Sequence, residues 1–311
     1  MRPSTLGADQ RGVRGQPVAF LIVIDPCPLC GQRLADPVSS TPYAVIFGAL
    51  RDQFGAAIDA ELEQRYSPAV TADEYRCQEC RLQFFSPMNP GGPDFYAALA
   101  ASDRYYRGER WEYELALAAI PPGAARVLDV GCGRGDFLMR ARERTTSVMG
   151  AETNPDAHPH LVDRGLAFHA GDLADLEGQF DLICAFQVFE HLADVATLLR
   201  PSLGRLAPGG TLFLSVPNRL RLSAHPRLEP LDCPPHHVSR WSPAQFEQLA
   251  DRHGLVPHAL HRQRRTPTSA AKVMFHRTIG RSRKVPGGPT WRGIVRRARW
   301  ANAMAVELRR R

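Results

Sequence analysis

The stretch Arg126-Val-Leu-Asp-Val-Gly-Cys-Gly-Arg-Gly-Asp136 decides the fold of this chain. Its first half is mainly apolar and predicts a buried strand, and glycines follow at positions 131, 133 and 135. A strand that turns sharply into a helix leaves backbone N–H groups and the positive end of the helix facing an open crevice. The stretch therefore predicts a ligand-binding turn at the carboxyl end of a strand in an α/β fold.

The spacing of these glycines indicates which ligand the turn binds. Dinucleotide-binding turns have the pattern G-x-G-x-x-G, which places a pyrophosphate at the helix terminus, whereas this chain has G-x-G-x-G. Asp129 and Asp136 lie in this stretch, and their charges would repel a pyrophosphate but attract a sulfonium and an amino group. The sequence therefore favours S-adenosylmethionine over NAD. The alternatives are a glycine-rich turn that binds no ligand and an Asp129 that only caps the turn.

Residues 127–137, VLDVGCGRGDF, resemble the first motif of the class I S-adenosylmethionine-dependent methyltransferases. Strands predicted at 147–152, 167–173 and 179–186 follow in the order of that family. The resemblance implies that a carboxylate after the second strand binds both ribose hydroxyls and that an acid after the third faces the adenine. The residues so assigned to the cofactor are Asp129, Gly131, Gly133, Gly135, Glu152, Asp172, Leu173 and Phe186.

The fold that the resemblance implies is an α/β, Rossmann-like methyltransferase sheet of seven strands, the last one antiparallel. Residues 206–218 contain the L-x-P-G-G segment of the family and predict the fifth strand. Ser242, followed by a proline, predicts the start of a helix. Residues 255–261 and 272–278 predict the last two strands.

Four of the seven cysteines form two C-x-x-C pairs, Cys27/Cys30 and Cys77/Cys80. Four thiolates at about 2.3 Å from one ion make a closed tetrahedral site, so the pairs predict a structural zinc ion in a small zinc-ribbon-like module. A redox dithiol and unligated buried thiols are the competing interpretations.

The segments around the cysteine pairs support a ribbon and also depart from it. Gly31 follows the first pair, and residues 75–85 resemble the second hairpin of a zinc ribbon. However, 46 residues separate the pairs, and Arg81 replaces the glycine usual after the second one. The helical periodicity within residues 43–66 predicts an insertion in the ribbon. In sugar C-methyltransferases, which this chain resembles, such a ribbon helps to build the substrate cleft.

Composition and turn residues predict five regions along the chain. An aromatic helical segment follows the turn-rich residues 88–93, and Tyr105 and Tyr106 are candidates for a lid over the cofactor. The alternative is a helix that packs on the domain through its aromatic face. The regions are an N-terminal extension at 1–24, the zinc-ribbon-like module at 25–90, a linker and lid helix at 91–123, the methyltransferase domain at 124–278 and a basic tail at 279–311.

Two segments with histidines lie where the family places its acceptor cleft, Phe189-Glu190-His191 and residues 234–241. Methyl transfer needs mainly proximity and orientation, and a base only where the acceptor must lose a proton. An imidazole, with an ordinary pKa of about 6.5, suits that task. We therefore predict His237 and His191 as first candidates for a catalytic base and His236 as the third. The alternative is that these rings only cap or shape loops.

The net charge of +7 raises the question of nucleic acid. Residues 276–311 hold eleven Lys and Arg against the single acid Glu307, so the basic character belongs to the end of the chain and not to the cleft. A solvated tail is the first interpretation, and weak attachment to RNA, DNA or anionic lipid is the second. The segment Ala185-Phe-Gln-Val188 replaces the N/D-P-P-Y/F segment of enzymes that methylate base amino groups. Amino-directed base methylation is therefore disfavoured.

We predict an S-adenosylmethionine-dependent methyltransferase that acts on a small-molecule acceptor, a sugar or a secondary metabolite. It resembles ubiquinone-type O-methyltransferases and sugar C-methyltransferases. The alternatives are an RNA-directed methyltransferase that uses the ribbon and the tail, and a non-catalytic S-adenosylmethionine-binding partner subunit. The apolar residues 18–24 are too few to span a bilayer, so we expect a cytoplasmic protein with no membrane span.

Overall fold

The computed structural model describes residues 24–102, 110–123, 125–219, 228–263 and 303–310. None of the helices in these ranges is both long and apolar enough to cross a membrane. The strands are β1 Ala35–Pro42, β2 Thr71–Cys77, β3 Gln83–Ser86, β4 Arg126–Val130, β5 Ser147–Ala151, β6 Ala167–His169, β7 Phe180–Phe186, β8 Leu206–Pro217, β9 Ser239–Arg240, β10 Leu255–Arg262 and β11 Ala303–Arg310. The α-helices are α1 Tyr43–Ala49, α2 Ala60–Arg65, α3 Pro93–Ala100, α4 Trp111–Ala118, α5 Asp136–Ala141, α6 His158–Asp163, α7 Ala196–Arg205 and α8 Pro243–His253.

A seven-stranded sheet has the order β10-β11-β8-β7-β4-β5-β6. Strands β4 to β8 of this sheet pair in parallel, whereas β11 runs antiparallel to both β8 and β10. Most residues of its central strands β7 and β8 are buried, as expected where helices cover both faces of a parallel sheet. The observed sheet confirms the predicted methyltransferase-like fold with an antiparallel last strand.

The last strand does not lie where the sequence predicted it. Residues 272–278 fall outside the described residues, and the antiparallel position is filled by β11, which pairs with β8 from Pro217 to Thr211. The prediction that residues 279–311 form a solvated basic tail is therefore wrong for 303–310. Met304, Val306 and Leu308 of that strand are buried, whereas Arg309 and Arg310 stay exposed at its end, so the strand gains burial without burying these charges.

The cysteine-containing region forms a second sheet of four strands in the order β1-β2-β3-β9. The helices α1 and α2, with a π-helical turn at Leu50–Phe54 between them, form the predicted insertion between β1 and β2. Strand β9 follows β8 of the seven-stranded sheet along the chain, and it pairs with β3, with Phe84 opposite Ser239. The cysteine-containing region and the later part of the chain are therefore joined by strand pairing within one sheet.

A common core joins these sheets. One cluster of buried residues includes Cys77, Cys80 and Phe84 of the cysteine region together with Leu128 and Val130 of β4. Helix α8 begins where Ser242 predicted it, in a capping box with Gln245. The Gln245 side chain also donates a hydrogen bond of 2.9 Å to the Cys80 carbonyl. The cysteine region is thus fixed directly against the domain whose strand ends form the site.

Candidate functional site

The glycine-rich turn between β4 and α5 has the backbone that its sequence predicted. Gly131, Gly133 and Gly135 have φ values of 69°, 53° and 79°, which favour glycine. A Cβ atom at Gly131 would lie 2.8 Å from Cγ2 of Val188, so this position also lacks room for a side chain. The turn therefore brings its backbone close to the edge of a cleft at the carboxyl ends of the strands.

Glu152 lies directly after β5, on the opposite side of this turn. Its Oε2 accepts a hydrogen bond of 2.8 Å from the Gly133 N–H, and its Oε1 accepts one of 2.8 Å from the Asn154 N–H. These bonds hold the carboxylate at the wall of the cleft. It is in position to bind a pair of neighbouring hydroxyls, which is the role that the resemblance implies.

Asp129 lies at the base of the turn and is buried, with 3% of its surface exposed. Its Oδ1 has no hydrogen-bond partner among the described residues. Burial raises the pKa of this carboxyl well above its ordinary value, while the charge of Arg110 acts in the opposite direction. A buried acceptor without a partner is costly, so Asp129 suits a ligand that brings a cationic amino group.

The remaining predicted cofactor residues lie near the same cleft. Asp172 follows β6 and is exposed, and its Oδ1 accepts a hydrogen bond of 2.8 Å from the Ala174 N–H. Leu173 is buried and lines the cleft beside it. Phe186, at the end of β7, is buried against Phe137 and Tyr113, with ring centroids 4.8 and 4.9 Å away. Tyr105 and Tyr106, the predicted lid residues, lie outside the described residues.

The cleft has two lobes, which we call the donor lobe and the acceptor lobe. The donor lobe, of about 960 Å³, contains Glu152, Asp172 and Leu173, and the acceptor lobe, of about 610 Å³, contains Asp129, Phe186 and all three predicted histidines. Such volumes are typical of sites for small molecules. Both lobes are lined by Gly131, Gly133, Arg134, Gln187 and His191.

Three imidazoles meet in the acceptor lobe, and we call His191, His236 and His237 the histidine cluster. The ring centroids of His236 and His237 are 4.3 Å apart, and the His191 centroid lies 4.8 and 4.9 Å from them. One ring nitrogen from each lies within 4.8 Å of the others. Two segments separated by more than forty positions in the sequence thus come together at one point.

Each ring is oriented through its Nδ1 atom. That of His236 lies 2.8 Å from the Leu231 carbonyl, and that of His237 lies 3.2 Å from Oδ1 of Asp232. His191 Nδ1 lies 2.5 Å from the His236 carbonyl and 3.0 Å from the Tyr96 hydroxyl. Oxygen atoms beside Nδ1 fix the tautomer and the direction of an imidazole. The loop that carries His236 and His237 is therefore held in a defined arrangement.

Glu190 lies under the histidine cluster with 1% of its surface exposed. Its Oε1 is 3.9 Å from the Nε2 atoms of both His191 and His237, and neither carboxylate oxygen has a hydrogen-bond partner among the described residues. Burial raises the pKa of Glu190 to about 8. Burial, followed by the charge of His236, lowers the pKa of His191 to about 3. The cluster thus combines imidazoles, two of which burial holds in the neutral form, with an acid whose oxygens have no hydrogen-bond partner among the described residues.

Comparison with known protein families identifies the family of this domain. Residues 103–260 match the profile of a family described as a methyltransferase domain. The chain belongs to this methyltransferase family. The family supports the sequence prediction of a class I S-adenosylmethionine-dependent enzyme, and the turn, the buried Asp129 and the Glu152 carboxylate fit that cofactor.

Curated relatives of this methyltransferase match it over a limited length. A ubiquinone biosynthesis O-methyltransferase of Xanthomonas axonopodis pv. citri is 33% identical over 116 residues, which cover 34% of this chain and 48% of the relative. A trans-aconitate 2-methyltransferase of Methylobacterium nodulans is 39% identical over 117 residues, covering 35% of this chain and 45% of the relative. The chain spans about half the length of the curated relatives it matches.

Solved structures of methyltransferases are also similar to parts of this chain, at low sequence identity. An S-adenosylmethionine-dependent methyltransferase from Mesorhizobium loti is 18% identical, with a TM-score of 0.47, over 64% of this chain and 97% of the other. A possible histamine N-methyltransferase from Thermotoga maritima is 15% identical, with a TM-score of 0.48, over 70% of this chain and 97% of the other.

The four paired cysteines of the methyltransferase also come together, and we call them the cysteine cluster. The Sγ atoms of Cys27 and Cys80 are 3.4 Å apart, and those of Cys30 and Cys77 are 3.5 Å apart. All four lie within 4.8 Å of one another. Sulfurs bound to one zinc ion at about 2.3 Å have a similar spacing, so the donor set fits a tetrahedral zinc site.

The two cysteine turns have matching backbones. In the first, the Gly31 N–H donates to the Cys27 carbonyl, and in the second the Arg81 N–H donates to the Cys77 carbonyl. Arg81 has a φ of 61°, close to the 73° of Gly31. Arginine at position 81 therefore does not change the turn that the sequence pattern requires, although it takes up a conformation that favours glycine.

Several residues of the site were not predicted from the sequence. Tyr96 of α3 and Asp232 of a short helical turn contact the histidine cluster, but no single motif connects them with it. Glu190 stands in the segment that predicted His191, but the sequence did not assign it a role. The sequence could have indicated Gln187, because it follows β7 directly at the end of the predicted strand. In the structure its φ of 56° is unusual for a residue other than glycine.

Proposed function

We propose that this protein transfers a methyl group from S-adenosylmethionine to a hydroxyl of a small-molecule acceptor, a sugar or a secondary metabolite. The observation that carries the proposal is the continuity of the two lobes. Gly131, Gln187 and His191 line both, so a donor bound at Glu152 and an acceptor bound at the histidine cluster would meet at their common boundary.

The donor lobe supplies binding and orientation. S-Adenosylmethionine, when bound, presents a methyl group on a positively charged sulfur. Glu152 would bind the ribose hydroxyls, and Asp172 and Leu173 would contact the adenine. Asp129, which lies across the shared glycine turn in the acceptor lobe, would accept a hydrogen bond from the amino group of the methionine part. Residues that fix the donor in this way lower the barrier mainly by holding the reacting atoms in line.

The acceptor lobe would supply the groups that take up the proton of the acceptor hydroxyl. The acceptor oxygen forms a bond to the methyl carbon while the carbon–sulfur bond breaks and its electron pair stays on sulfur. The hydroxyl proton would leave toward the histidine cluster, and the position of its three rings in the lining of this lobe supports that role. Burial holds the pKa of His191 and His236 below the ordinary value, so these imidazoles are neutral at neutral pH.

We also propose that the cysteine cluster binds a structural zinc ion. The geometry of its sulfurs supports a closed site, and the Cys80 N–H lies 3.4 Å from the Cys77 sulfur, as expected around thiolate ligands. Through β9 and α8 the ion would support the loop that carries His236 and His237. The cysteine region would then shape the acceptor lobe without taking part in the reaction.

The first experiment measures donor binding and transfer in the same preparations. We expect calorimetry to detect binding of S-adenosylmethionine and of its demethylated product. Glu152→Gln should weaken donor binding at least tenfold, because hydrogen bonds to a charged group contribute about 1.5–3 kcal/mol. Glu177→Gln, which changes an exposed acid between β6 and β7, is the matched control and should bind the donor normally.

Labelled methyl donor should then be offered with nucleotide-linked sugars, with hydroxylated aromatic acids and with RNA. Transfer to one of the first two groups is the expected result. Donor binding with no transfer to any acceptor would favour the non-catalytic partner subunit instead. Retention of the protein on RNA that falls steeply with salt, together with methylation of that RNA, would favour the RNA-directed alternative. Tight binding of a nicotinamide or flavin in place of the donor would overturn the proposal.

A further inference from the structure

We propose that the histidine cluster and Glu190 form a binding site for a divalent transition-metal cation in the acceptor lobe. This site is separate from the cysteine cluster and uses nitrogen and oxygen ligands only. The inference rests on the proposed function for its role, because the cation would bind the acceptor oxygen. Its existence rests on the geometry of the residues alone.

The first observation is the convergence of three imidazoles. One nitrogen from each ring lies within 4.8 Å of the others. Zinc–nitrogen bonds are about 2.0–2.1 Å long, so the nitrogens would move together by roughly an ångström when the cation binds. Small rotations of the rings achieve this, since His191 keeps 20% of its side chain exposed and borders the open cleft.

The second observation is the set of contacts behind the rings. An oxygen atom lies beside Nδ1 of every member of the cluster, as described above, and for His237 this oxygen belongs to the Asp232 carboxylate. Histidines that bind metals usually donate the other ring N–H to a carboxylate or a carbonyl, which directs the opposite nitrogen toward the ion. The arrangement thus selects Nε2 as the ligand atom.

The third observation is independent of the rings. Glu190 is buried with both carboxylate oxygens unpartnered among the described residues, and its Oε1 lies 3.9 Å from Nε2 of His191 and of His237. A buried carboxylate without a partner is strongly unfavourable. A cation between it and the imidazoles would neutralise its charge and occupy its oxygen, which explains why this acid is tolerated there.

The ligand types indicate the class of cation. Three imidazole nitrogens with one carboxylate suit Zn²⁺, Fe²⁺ or Co²⁺, whereas Mg²⁺ and Ca²⁺ prefer oxygen ligands. The cleft leaves one side of the cluster open, as is usual at sites where a metal also binds a substrate. A cation in this place would lower the pKa of a bound hydroxyl, and because the ring nitrogens would then be metal ligands, the proton would pass to water in the open cleft and not to an imidazole.

The test is a cobalt titration of the full chain after one equivalent of zinc has been bound. We expect one further equivalent of Co²⁺, with the weak visible absorption of a nitrogen and oxygen site and without the strong absorption of a cobalt–thiolate bond. His237→Ala and Glu190→Gln should remove that equivalent. Asp232→Asn, which changes only the residue behind the ring, should weaken cobalt binding by about 10–100-fold.

Matched controls keep the outcome interpretable. His258→Ala removes an exposed histidine of β10 and should bind cobalt as the unchanged protein does. Circular dichroism and the unfolding temperature show whether each variant is folded. The proposal is overturned if folded His237→Ala and Glu190→Gln take up the same second equivalent, or if cobalt produces only the absorption of a thiolate site.

The cation and the proposed reaction can fail separately. If no second equivalent of cobalt binds but a hydroxylated acceptor is methylated, the metal proposal is wrong and the reaction stands. If the second equivalent binds as expected but no hydroxylated acceptor is methylated, the metal site stands and the proposed reaction is wrong.

Discussion

The cysteine cluster and the histidine cluster bring together ligand-type side chains from distant parts of the chain, but they do so in different ways. In the cysteine cluster, two matching backbone turns hold the sulfurs, three of which are buried. In the histidine cluster, side chains and carbonyls of several elements orient the rings, which border an open cleft. On the proposals made above, the first site would serve the fold and the second would serve the chemistry, and this contrast can be tested.

The largest expected effect follows from breaking the cysteine cluster. Cys77→Ser removes one of four thiolates, so we expect loss of the bound zinc and of cooperative folding of the cysteine region. Metal analysis and hydrogen exchange over residues 25–90 measure both effects. Free energy of metal binding contributes directly to folding in such sites, which is why the effect should be severe.

Cys184→Ala is the control for this variant, because it removes a buried cysteine of β7 outside the cluster. It should retain the zinc and show at most a modest loss of stability. Fresh protein that contains no zinc, or a Cys77→Ser variant that unfolds as the unchanged protein does, would contradict the structural role of the cluster.

A smaller and different effect is expected from the histidine cluster. His237→Ala should lower turnover by more than about tenfold, which corresponds to about 1.4 kcal/mol, while the unfolding temperature and donor binding stay close to those of the unchanged protein. Steady-state kinetics, calorimetry with the donor and thermal unfolding provide the three measurements. Unchanged turnover would mean that the ring only shapes its loop and that the contrast between the clusters is not functional.

The same contrast, between local turns and contacts from several elements, decides how much of each region could be predicted from the sequence. The donor turn and the cysteine turns are local, so the spacing of Gly131, Gly133 and Cys77 was sufficient to predict their backbones. The acceptor lobe depends on Tyr96 and Asp232, which reach the histidines only through the tertiary fold. No spacing within one segment carries that information.

The position of the last strand, β11, also could not be predicted from local sequence. Residues 303–306 form a short apolar run that is consistent with a buried strand, but the arginines around them make the whole end of the chain resemble a basic tail. Pairing with β8 and β10 decides the outcome, because it satisfies the backbone of β11 on both sides and buries Leu308. Local composition alone did not identify this long-range pairing.

The smallest expected effect tests whether the backbone turns really define the cysteine cluster. Gly31 and Arg81 occupy equivalent positions with φ values of 73° and 61°. A residue with a side chain loses about 1–2 kcal/mol in this conformation, whereas glycine loses about 0.5–1 kcal/mol of chain entropy on folding. Arg81→Gly should therefore stabilise the protein by about 0.5 kcal/mol, and Gly31→Ala should destabilise it by about 1 kcal/mol. A Cβ at Gly31 meets nothing within 4 Å, so the second change measures backbone conformation and not a clash.

Denaturant unfolding of both variants with zinc bound gives the two values. Changes of the same sign would show that the two turns are not equivalent, and the cluster would then owe its geometry to the surrounding core.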